Sequence, residues 1–510
     1  METLVAGVDS STQSVKIVVR KAFSGELVAE ARAPHPDGTE VHPDAWWHAL
    51  QQVIAEVGGL HTLSAISIAG QQHGMVVLDA AGNVIRPALL WNDTRSAPEA
   101  EELNVLCPDI AALTGLTLVA SFTITKLRWL CKHEPENAAR VAAVCLPHDY
   151  LSWKLSGSKD IRTLFTDRSD ASGTGYFNGV TNEYLPDVFN LTGLSFKDVF
   201  LPRVLTPNER GACIFLNHNS DDIYTYADTA NIDPDNQTHR HPPHTLIIGA
   251  GAGDNAAASL ALSINTGEVL LSLGTSGTVS TTCPSHPPST GGPVAWFSDA
   301  SGGFLPLVCT LNACGVLEAA ARLLGVGSAA EAAAIAEAAP PGARGLTLLP
   351  YLQGERTPNR PDASGVLAGL TVDNCSREDL ARAMVEGMLC GLADAIDALE
   401  EAHGSSSSSS STGQAVKGRV ILVGGAARSA AVARIASVVL GRSVAVPPVH
   451  EYVAEGAARQ ACWALTGKLP CWGGGEDGDG DGWTVYEEEV APEVRRQYAR
   501  LRDRTGGVGW

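Results

Sequence analysis

Apolar and polar positions alternate at the start of the chain in a pattern that predicts strands joined by short polar turns. Leu4–Val8 is an apolar run, Asp9–Ser14 is a polar turn, and Val15–Arg20 is apolar again. A turn near Ser24–Gly25 precedes a third predicted strand, Glu26–Ala33. The chain should therefore begin with three consecutive strands in a hairpin arrangement.

The same strand–turn–strand pattern returns about half a chain later. Glu268–Leu273 and Thr278–Thr282 are predicted strands on either side of a tight turn, Gly274–Gly277. Two hairpins of one design indicate a duplicated domain rather than a solenoid, whose repeat would be about 20–50 residues. The other predicted elements are helices at Pro43–Val57, Cys314–Leu324, Arg377–Ala402 and Ala430–Leu440, and strands at Ile66–Ala69, Met75–Leu78 and Arg419–Val423.

A strand that ends in glycines leads to the most informative acidic residue. Leu246–Ile248 is followed by the glycine-rich turn Gly249–Gly253, after which Asp254 and Asn255 open an alanine-rich helix. Taken alone, Asp254 is most simply a helix cap. A dinucleotide-binding fingerprint is excluded because Asp254 stands where that motif needs a third glycine. The turn lets the backbone approach a ligand, so Asp254 is also a candidate general base.

Composition narrows the class of protein. A chain of 510 residues is too long for one core and predicts two sizeable domains. The net charge of −20 argues against a broad nucleic-acid or anionic-membrane surface. Neither a signal peptide nor an apolar run of about 20 residues is recognisable. The eleven cysteines are scattered without a C-x-x-C pair, which favours reduced thiols and a cytoplasmic location.

Phosphoryl transfer from ATP needs a backbone cradle for phosphates, carboxylates for Mg²⁺ and a base for the acceptor hydroxyl. The chain has no Walker A loop, because its Gly467–Lys468 pair is followed by Leu469. Two polar hairpin turns, Asp9–Lys16 and Leu273–Gly277, are candidate cradles. Each alone is a weak signal because polar turns are common, but the combination with the other glycine-rich motifs is specific.

Together these motifs resemble the FGGY carbohydrate kinases, which have a duplicated ATPase domain of the actin and hexokinase type. The resemblance covers residues 1–260 and 264–470. It implies an α/β fold with duplicated actin/hexokinase-like (ribonuclease H-like) domains and an active site in the interdomain cleft. The segments that carry it are Gly7–Asp9, Gly70–Gly74, Arg86–Arg95, Phe122–Trp129, Leu146–Leu151, Ser169–Thr174, Gly253–Asn255, Leu273–Gly277 and Pro350–Pro358.

The resemblance implies roles for two catalytic carboxylates. Asp254 would be the general base that takes the proton from the sugar's terminal hydroxyl, with Asn255 holding a neighbouring hydroxyl. Asp9 would act near Mg²⁺ and the γ-phosphate; the alternative is a turn-forming aspartate. An ordinary carboxylate pKa would leave Asp254 ionised at neutral pH.

The resemblance also assigns residues to the two substrates. Gln72 and His73 would contact the sugar and Trp91 would form a wall against its C–H face; the alternatives are a structural histidine and a core tryptophan. The expected ATP-binding residues are Ser11, Thr12, Lys16, Gly274, Thr275, Gly424, Gly425 and Arg428. For these, ordinary turns and a solvated arginine are the alternatives.

The Gln72–His73 pair is typical of family members that phosphorylate D-xylulose, whereas glycerol-specific members have an Arg–Glu pair there. The expected activity is therefore ATP- and Mg²⁺-dependent formation of D-xylulose 5-phosphate, a step of xylose metabolism. The alternatives are a kinase for another ketose or polyol such as ribulose, and a non-catalytic sugar- or nucleotide-binding regulator. Sugar and ATP are the expected partners, with a homodimer as one possible assembly.

The predicted organisation is an N-terminal domain over residues 1–260 and a C-terminal domain over 264–470. A serine-rich loop over 405–413 and a Gly/Asp-rich loop with a tail over 471–510 complete it. The polar, proline-rich stretch 217–244 is a further predicted surface insertion.

Overall fold

A computed structural model describes residues 2–216, 225–227, 244–286, 291–404, 416–472 and 482–505. The predicted serine-rich loop and most of the predicted insertion and Gly/Asp tract lie outside these residues. The chain forms two compact units. The first consists of Met1–Ser263, Trp296–Phe304 and His450–Gly478, and the second of Ile264–Ala295, Leu305–Val449 and Asp479–Trp510.

A mixed sheet forms the centre of the first unit. The predicted opening hairpin is present as Leu4–Ser10 and Ser14–Lys21, which pair antiparallel. Leu4–Ser10 also pairs in parallel with Ala65–Gly70. Strands neighbour one another in the order Thr225–Ala227, Arg210–Leu216, His244–Gly249, Ala65–Gly70, Leu4–Ser10, Ser14–Lys21 and Leu27–Pro34. Leu4–Ser10 is almost fully buried, which fits its apolar sequence because a central strand is covered on both faces.

Register brings three chain segments together at one edge of this sheet. Ser10 is paired with Gly70, and Gly70 is paired with Gly253 of the short strand Ala252–Gly253. Both pairings are parallel, so the segments that follow these strands emerge on the same side. The predicted strand Met75–Leu78 is observed as Val76–Leu78, but it pairs with Ala143–Cys145 outside this sheet.

Helices cover the first sheet. Trp46, Leu50 and Val53 of the predicted first helix, observed as Pro43–Glu56, are buried in the core with Ile66. The larger helices of this unit are Pro43–Glu56, Ala97–Leu106, Thr123–His133, Pro147–Leu155, Asp254–Leu262 and Tyr452–Thr466. The last of these falls within the range predicted for the second domain, yet it packs against Leu4–Ser10 and Asp254–Leu262. Chain order alone does not reveal such a return, because the helix is far in sequence from the strands that it covers.

Two glycines allow helix Tyr452–Thr466 to lie against its neighbours. A Cβ atom at Gly7 would lie 1.9 Å from the carbonyl oxygen of Ala454. A Cβ atom at Gly456 would lie 1.9 Å from the carbonyl oxygen of Ala257, in the helix that begins at Asp254. Both contacts are with backbone, which cannot rotate away as a side chain can. The packing of the Asp254 helix therefore depends on a glycine at position 456.

We expect Gly456→Ala to lower the free energy of unfolding by about 2–3 kcal/mol, because overpacking against backbone outweighs the better helix propensity of alanine. Thermal unfolding of purified protein measures this. The matched control is Gly315→Ala, also within a helix, where the new Cβ would lie 3.8 Å from the nearest atom outside that helix's own local backbone, the Thr275 carbonyl oxygen. An unchanged unfolding midpoint for Gly456→Ala would contradict the packing argument.

The second unit repeats the hairpin design around a sheet of its own. Val269–Leu273 and Gly277–Ser280 pair antiparallel, and Val269–Leu273 pairs in parallel with Val420–Gly424. Neighbouring strands in this unit are Gly277–Ser280, Val269–Leu273, Val420–Gly424, Val444–Val446 and Thr484–Tyr486. Its helices include Cys314–Leu324, Ala329–Ala336, Arg377–Gly404, Ala430–Leu440 and Pro492–Arg504. The hairpin followed by a parallel strand matches the arrangement in the first unit, as the internal repeat in the sequence predicted.

Within the described ranges, no single helix has the length and apolar character required to cross a membrane. Cys314–Leu324 and Ala329–Ala336 meet those criteria only when they are counted as one bent pair.

Candidate active site

Asp254 lies at the N-terminal end of helix Asp254–Leu262, at the end of the glycine-rich turn. Gly251 has a φ of +88°, a conformation that favours glycine and lets the turn form. The helix cap is Gly253, which makes no side-chain capping bond. Asp254 is the first helical residue rather than the cap, so the helix-cap interpretation is wrong. Its Oδ1 accepts hydrogen bonds from the backbone N–H of Asn255 at 2.7 Å and from Asn255 Nδ2 at 2.9 Å.

The environment of Asp254 changes its protonation. Burial and the nearby charge of Asp9 raise the pKa of Asp254 to about 7, although the bonds from Asn255 lower it. The expectation of an ordinary carboxylate pKa is therefore wrong, because the sequence does not show how far tertiary packing removes this group from water. A base with a pKa near neutrality accepts a proton more readily than an ordinary carboxylate.

Asp9 is buried at the end of strand Leu4–Ser10, next to its own turn. Ser11 Oγ donates to Asp9 Oδ1 at 2.5 Å, and Lys16 Nζ lies 3.3 Å from Oδ2. Lys16 also pairs with Glu451 at 2.7 Å. Burial raises the pKa of Asp9, while Lys16 and Ser11 oppose that shift. The first polar turn thus carries a carboxylate, a hydroxyl and an ammonium group in direct contact.

Trp91 contacts the same turn. Its Nε1 donates to Thr12 Oγ1 at 2.9 Å, and Thr12 Oγ1 in turn donates to Gln71 Oε1 at 3.3 Å. The Trp91 side chain is 40% exposed, so the alternative that it belongs to the core is wrong. An exposed indole fixed through its N–H presents an aromatic face to solvent or to a ligand.

Gln72 and His73 follow strand Ala65–Gly70 and are held by different neighbours. Gln72 is buried, and its Nε2 donates to the carbonyl oxygen of Ser169 at 3.3 Å. His73 has a φ of +69°, an uncommon conformation for a residue with a side chain. Its Nδ1 donates to the carbonyl oxygen of Gly173 at 2.9 Å, and its ring meets Phe122 edge-on at 5.0 Å. The structure therefore brings Asp9, Gln72 and Asp254 to the same sheet edge.

Lys126 is a buried residue at this edge that was not singled out from the sequence. Its Nζ donates to the carbonyl oxygens of Ser121 and His73, the latter at 3.4 Å. Thr123 Oγ1 also donates to the His73 carbonyl oxygen, at 3.2 Å. Burial lowers the pKa of Lys126 to about 7. The sequence signal that could have identified Lys126 is its position among Thr123, Ile124 and Leu127, which are buried residues of an amphipathic helix.

A buried cluster of one histidine and three aspartates also escaped the sequence analysis. His148 Nδ1 lies 2.7 Å from Asp170 Oδ2 and 3.3 Å from Asp149 Oδ1, and His148 Nε2 lies 3.7 Å from Asp167 Oδ1. Burial lowers the pKa of His148, but the three carboxylates raise it well above its usual value. The close His148–Asp170 hydrogen bond makes this an internal ion-pair network, although three of its members are near enough to share a metal ion.

The predicted ATP-binding residues of the second unit lie on two adjacent loops. Leu273 is paired in register with Gly424, so the turn that contains Gly274 and Thr275 lies beside the start of the Gly424–Arg428 segment. Gly274, Thr275, Gly424, Gly425 and Arg428 are all exposed. The Gly274 carbonyl oxygen accepts from the N–H of Cys314, which begins the next helix. Loops at the carboxyl ends of parallel strands, next to a helix N-terminus, can hold phosphate through backbone N–H groups.

Glycine is required at one of these positions. Gly424 has a φ of +96°, and a Cβ atom there would lie 2.4 Å from the carbonyl oxygen of Leu273. Beside Gly425, by contrast, no atom would lie within 4 Å of an added Cβ. The strand can therefore turn tightly at Gly424 and leave open space above Gly425. The roles of Gly425 and Arg428 in binding adenosine stay predictions.

Comparison with known proteins matches one family domain to each half of the chain. The N-terminal domain of the FGGY family of carbohydrate kinases matches residues 4–217, and its C-terminal domain matches residues 269–465. Xylulose kinase of Streptomyces rubiginosus is 40% identical over 476 residues, which cover 92% of this chain and 89% of that relative. Xylulose kinase of Escherichia coli (strain K12) is 34% identical over 406 residues, covering 77% and 78%.

A solved structure extends the likeness to the fold. The crystal structure of xylulose kinase from Bifidobacterium adolescentis matches with a TM-score of 0.82 at 40% identity, covering 98% of this chain and 99% of that chain. The predicted α/β class with two domains of the actin and hexokinase type is thereby confirmed. Sequence and structure agree over both halves of the molecule, and the chain therefore belongs to the FGGY family of carbohydrate kinases.

Proposed function

We propose that this protein transfers the γ-phosphoryl group of ATP to D-xylulose, giving D-xylulose 5-phosphate and ADP. The observation that carries the proposal is the placement of Asp254, with its pKa raised to about 7, at the sheet edge that also holds Asp9 and Gln72. The similar proteins of Streptomyces rubiginosus and Escherichia coli are xylulose kinases, which supports this choice of sugar.

Asp254 is the proposed general base. Both hydrogen bonds from Asn255 go to Oδ1, so we assign Oδ2 to the proton of the sugar's terminal hydroxyl. As that proton moves to Asp254, the hydroxyl oxygen attacks the γ-phosphorus atom and ADP leaves. Gln72 and His73 orient the sugar, and the exposed ring of Trp91 covers its C–H face.

Asp9 is the proposed ligand of Mg²⁺. It fits because its carboxylate is buried beside the Ser11 hydroxyl, and oxygen atoms are the ligands that Mg²⁺ prefers. When bound, Mg²⁺ neutralises charge on the transferring phosphoryl group. Burial raises the pKa of Asp9, so a second cation in addition to Lys16 would favour its ionised form.

The loops that contain Gly274 and Gly424 are the proposed nucleotide site, and Ser11, Thr12 and Lys16 are the proposed contacts on the first polar turn. The eleven cysteines are scattered without a C-x-x-C pair, which supports the proposal of a cytoplasmic location.

The test is ADP release with Mg²⁺-ATP across D-xylulose, D-ribulose, L-ribulose, L-xylulose, glycerol and no sugar. We expect kcat/KM to be highest for D-xylulose and ADP release without sugar to be slow. Omitting Mg²⁺ should abolish turnover. A preference for another acceptor would support the proposed kinase activity but overturn the interpretation of Gln72 and His73 as marks of a D-xylulose site. ATP binding without turnover of any sugar would instead favour a non-catalytic regulator.

A further inference from the structure

One buried turn contacts three elements of the proposed sugar site. This turn, Asp167–Gly173, contains the short helix Arg168–Ala171. The Oγ of Ser169 accepts a hydrogen bond from the N–H of Gly253, the residue before Asp254, at 3.0 Å. The carbonyl oxygen of the same serine accepts from Gln72 Nε2 at 3.3 Å. Ser169 therefore joins the strand end that carries the proposed base to the side chain that is proposed to bind the sugar.

His73 is tied to the other end of this turn. The carbonyl oxygen of Gly173 accepts from His73 Nδ1 at 2.9 Å. A Cβ atom at Gly173 would lie 2.4 Å from His73 Cε1, so the ring packs directly on the glycine. The two proposed sugar-binding side chains and the segment leading to the proposed base thus share one support.

The packing around Ser169 leaves little freedom for these groups to shift. A Cβ atom at Gly253 would lie 2.5 Å from Gln72 Nε2, which places the Gln72 amide against the backbone just before Asp254. Ser169 is fully buried, and Gln72 is 6% exposed. A change in the Ser169–Gly253 hydrogen bond therefore acts on Asp254 through a single peptide unit.

Hydrogen bonds within the turn, and one to His148, hold the turn itself in place. The Asp167 carboxylate accepts from the N–H groups of Ser169 and Asp170, at 2.6 and 3.0 Å. Asp170 pairs with His148 at 2.7 Å. Ser172 Oγ donates to the Ser169 carbonyl oxygen at 2.7 Å. These bonds hold the backbone N–H and the carbonyl oxygen of Ser169 in place, which is what a support for neighbouring groups requires.

We propose that Ser169 is a positioning residue for phosphoryl transfer, which sets the location of the base relative to the bound sugar through its bonds to Gly253 and Gln72. It does not touch the reacting atoms. The inference rests on the proposed role of Asp254 as general base. It gives a function to the turn Asp167–Gly173, which has no role in the proposed chemical step.

The test compares Ser169→Ala with the wild type in steady-state kinetics at varied D-xylulose and at varied ATP. The substitution removes the hydroxyl that holds Gly253 but keeps the carbonyl that holds Gln72. We therefore expect kcat to fall about 10- to 100-fold, because small displacements of catalytic groups cause losses of that size. KM for D-xylulose and KM for ATP should stay within about threefold of the wild-type values. Ser169→Thr keeps a hydroxyl and should recover part of kcat.

Ser156→Ala is the matched control for the loss of a buried serine hydroxyl. Ser156 is 2% exposed and its Oγ donates to the carbonyl oxygen of Trp153 at 2.7 Å, at the C-terminal cap of helix Pro147–Leu155 in the same unit. This variant should lose similar thermal stability and keep the wild-type kcat. Equal kcat values for Ser169→Ala and Ser156→Ala would overturn the proposal, because loss of a buried hydroxyl alone would then explain the effect.

Asp254→Asn in the same assay separates the two levels of the argument. If Asp254→Asn is inactive and Ser169→Ala matches the wild type in kcat and both KM values, the positioning role is overturned and the base remains. If Asp254→Asn turns over D-xylulose at the wild-type rate, the base is wrong and the positioning role falls with it.

Discussion

Replacing Asp254 with asparagine should lower kcat for sugar phosphorylation by about 10²- to 10⁴-fold, the usual contribution of a general base. Asparagine keeps an oxygen that can accept the two bonds from Asn255, so the local structure is preserved while the proton acceptor is lost. KM for the sugar should change little, because the proposed sugar contacts of Gln72 and His73 remain. Coupled detection of ADP at saturating substrates measures the effect.

The pH dependence of wild-type activity offers an independent check on the base. Burial and Asp9 raise the pKa of Asp254 to about 7, and a protonated carboxyl group cannot accept the sugar's proton. We therefore expect kcat/KM to be about half its maximum near pH 7, to approach its maximum about one pH unit higher, and to fall as the pH drops below 7. Burial also raises the pKa of Asp9, opposed by Lys16, so its protonation would add to the loss at low pH.

The control for Asp254→Asn is Asp198→Asn, the same chemical change at an exposed position of the first unit. It should leave kcat and the pH profile unchanged. Asp254→Asn should not lower the unfolding temperature at pH 8. Because the pKa of Asp254 is raised, its ionised carboxylate destabilises the folded chain relative to the unfolded chain at that pH, and asparagine carries no charge. A large loss of stability together with loss of activity would mean that Asp254 supports the fold rather than the reaction.

Local sequence patterns were sufficient to predict the strands, turn and helix that position Asp254. Alternating apolar residues defined both hairpins, and the glycine-rich turn before Asp254 appears as the pattern predicted. The helix at Pro43–Glu56 and the helix at Ala430–Leu440 also agree within one residue at each end, because their apolar spacing is regular.

The remaining features depend on contacts between distant parts of the chain. The raised pKa of Asp254 arises from burial and from Asp9, and strand register, which no local pattern encodes, brings Asp9 and Asp254 to the same sheet edge. The return of helix Tyr452–Thr466 to the first sheet requires glycines at positions 7 and 456 to meet helix backbone. Ser169 belonged to a motif of the resemblance, but its bonds to Gly253 and Gln72 join three separate segments.

His148→Gln should lower the free energy of unfolding by about 3–5 kcal/mol, because it removes a buried cation while its carboxylate partners stay buried. Asp149, Asp167 and Asp170 raise the pKa of His148 well above 6.5, so its imidazolium form persists through neutral pH. The stabilisation that this charge provides is complete below pH 6.5 and is lost only as the pH rises through the raised value. Thermal or urea unfolding at pH 7 measures the loss.

His35→Gln is the matched control, since His35 is a buried histidine whose pKa is lowered by burial and which is therefore neutral at pH 7. Its Nδ1 donates to the carbonyl oxygen of Ser11 at 2.8 Å, so its replacement should cost only about 1 kcal/mol. Adding Asp170→Asn to His148→Gln should restore part of the lost stability, because one uncompensated carboxylate is removed. If the two single histidine variants unfold at the same temperature, the cluster is not held by charge.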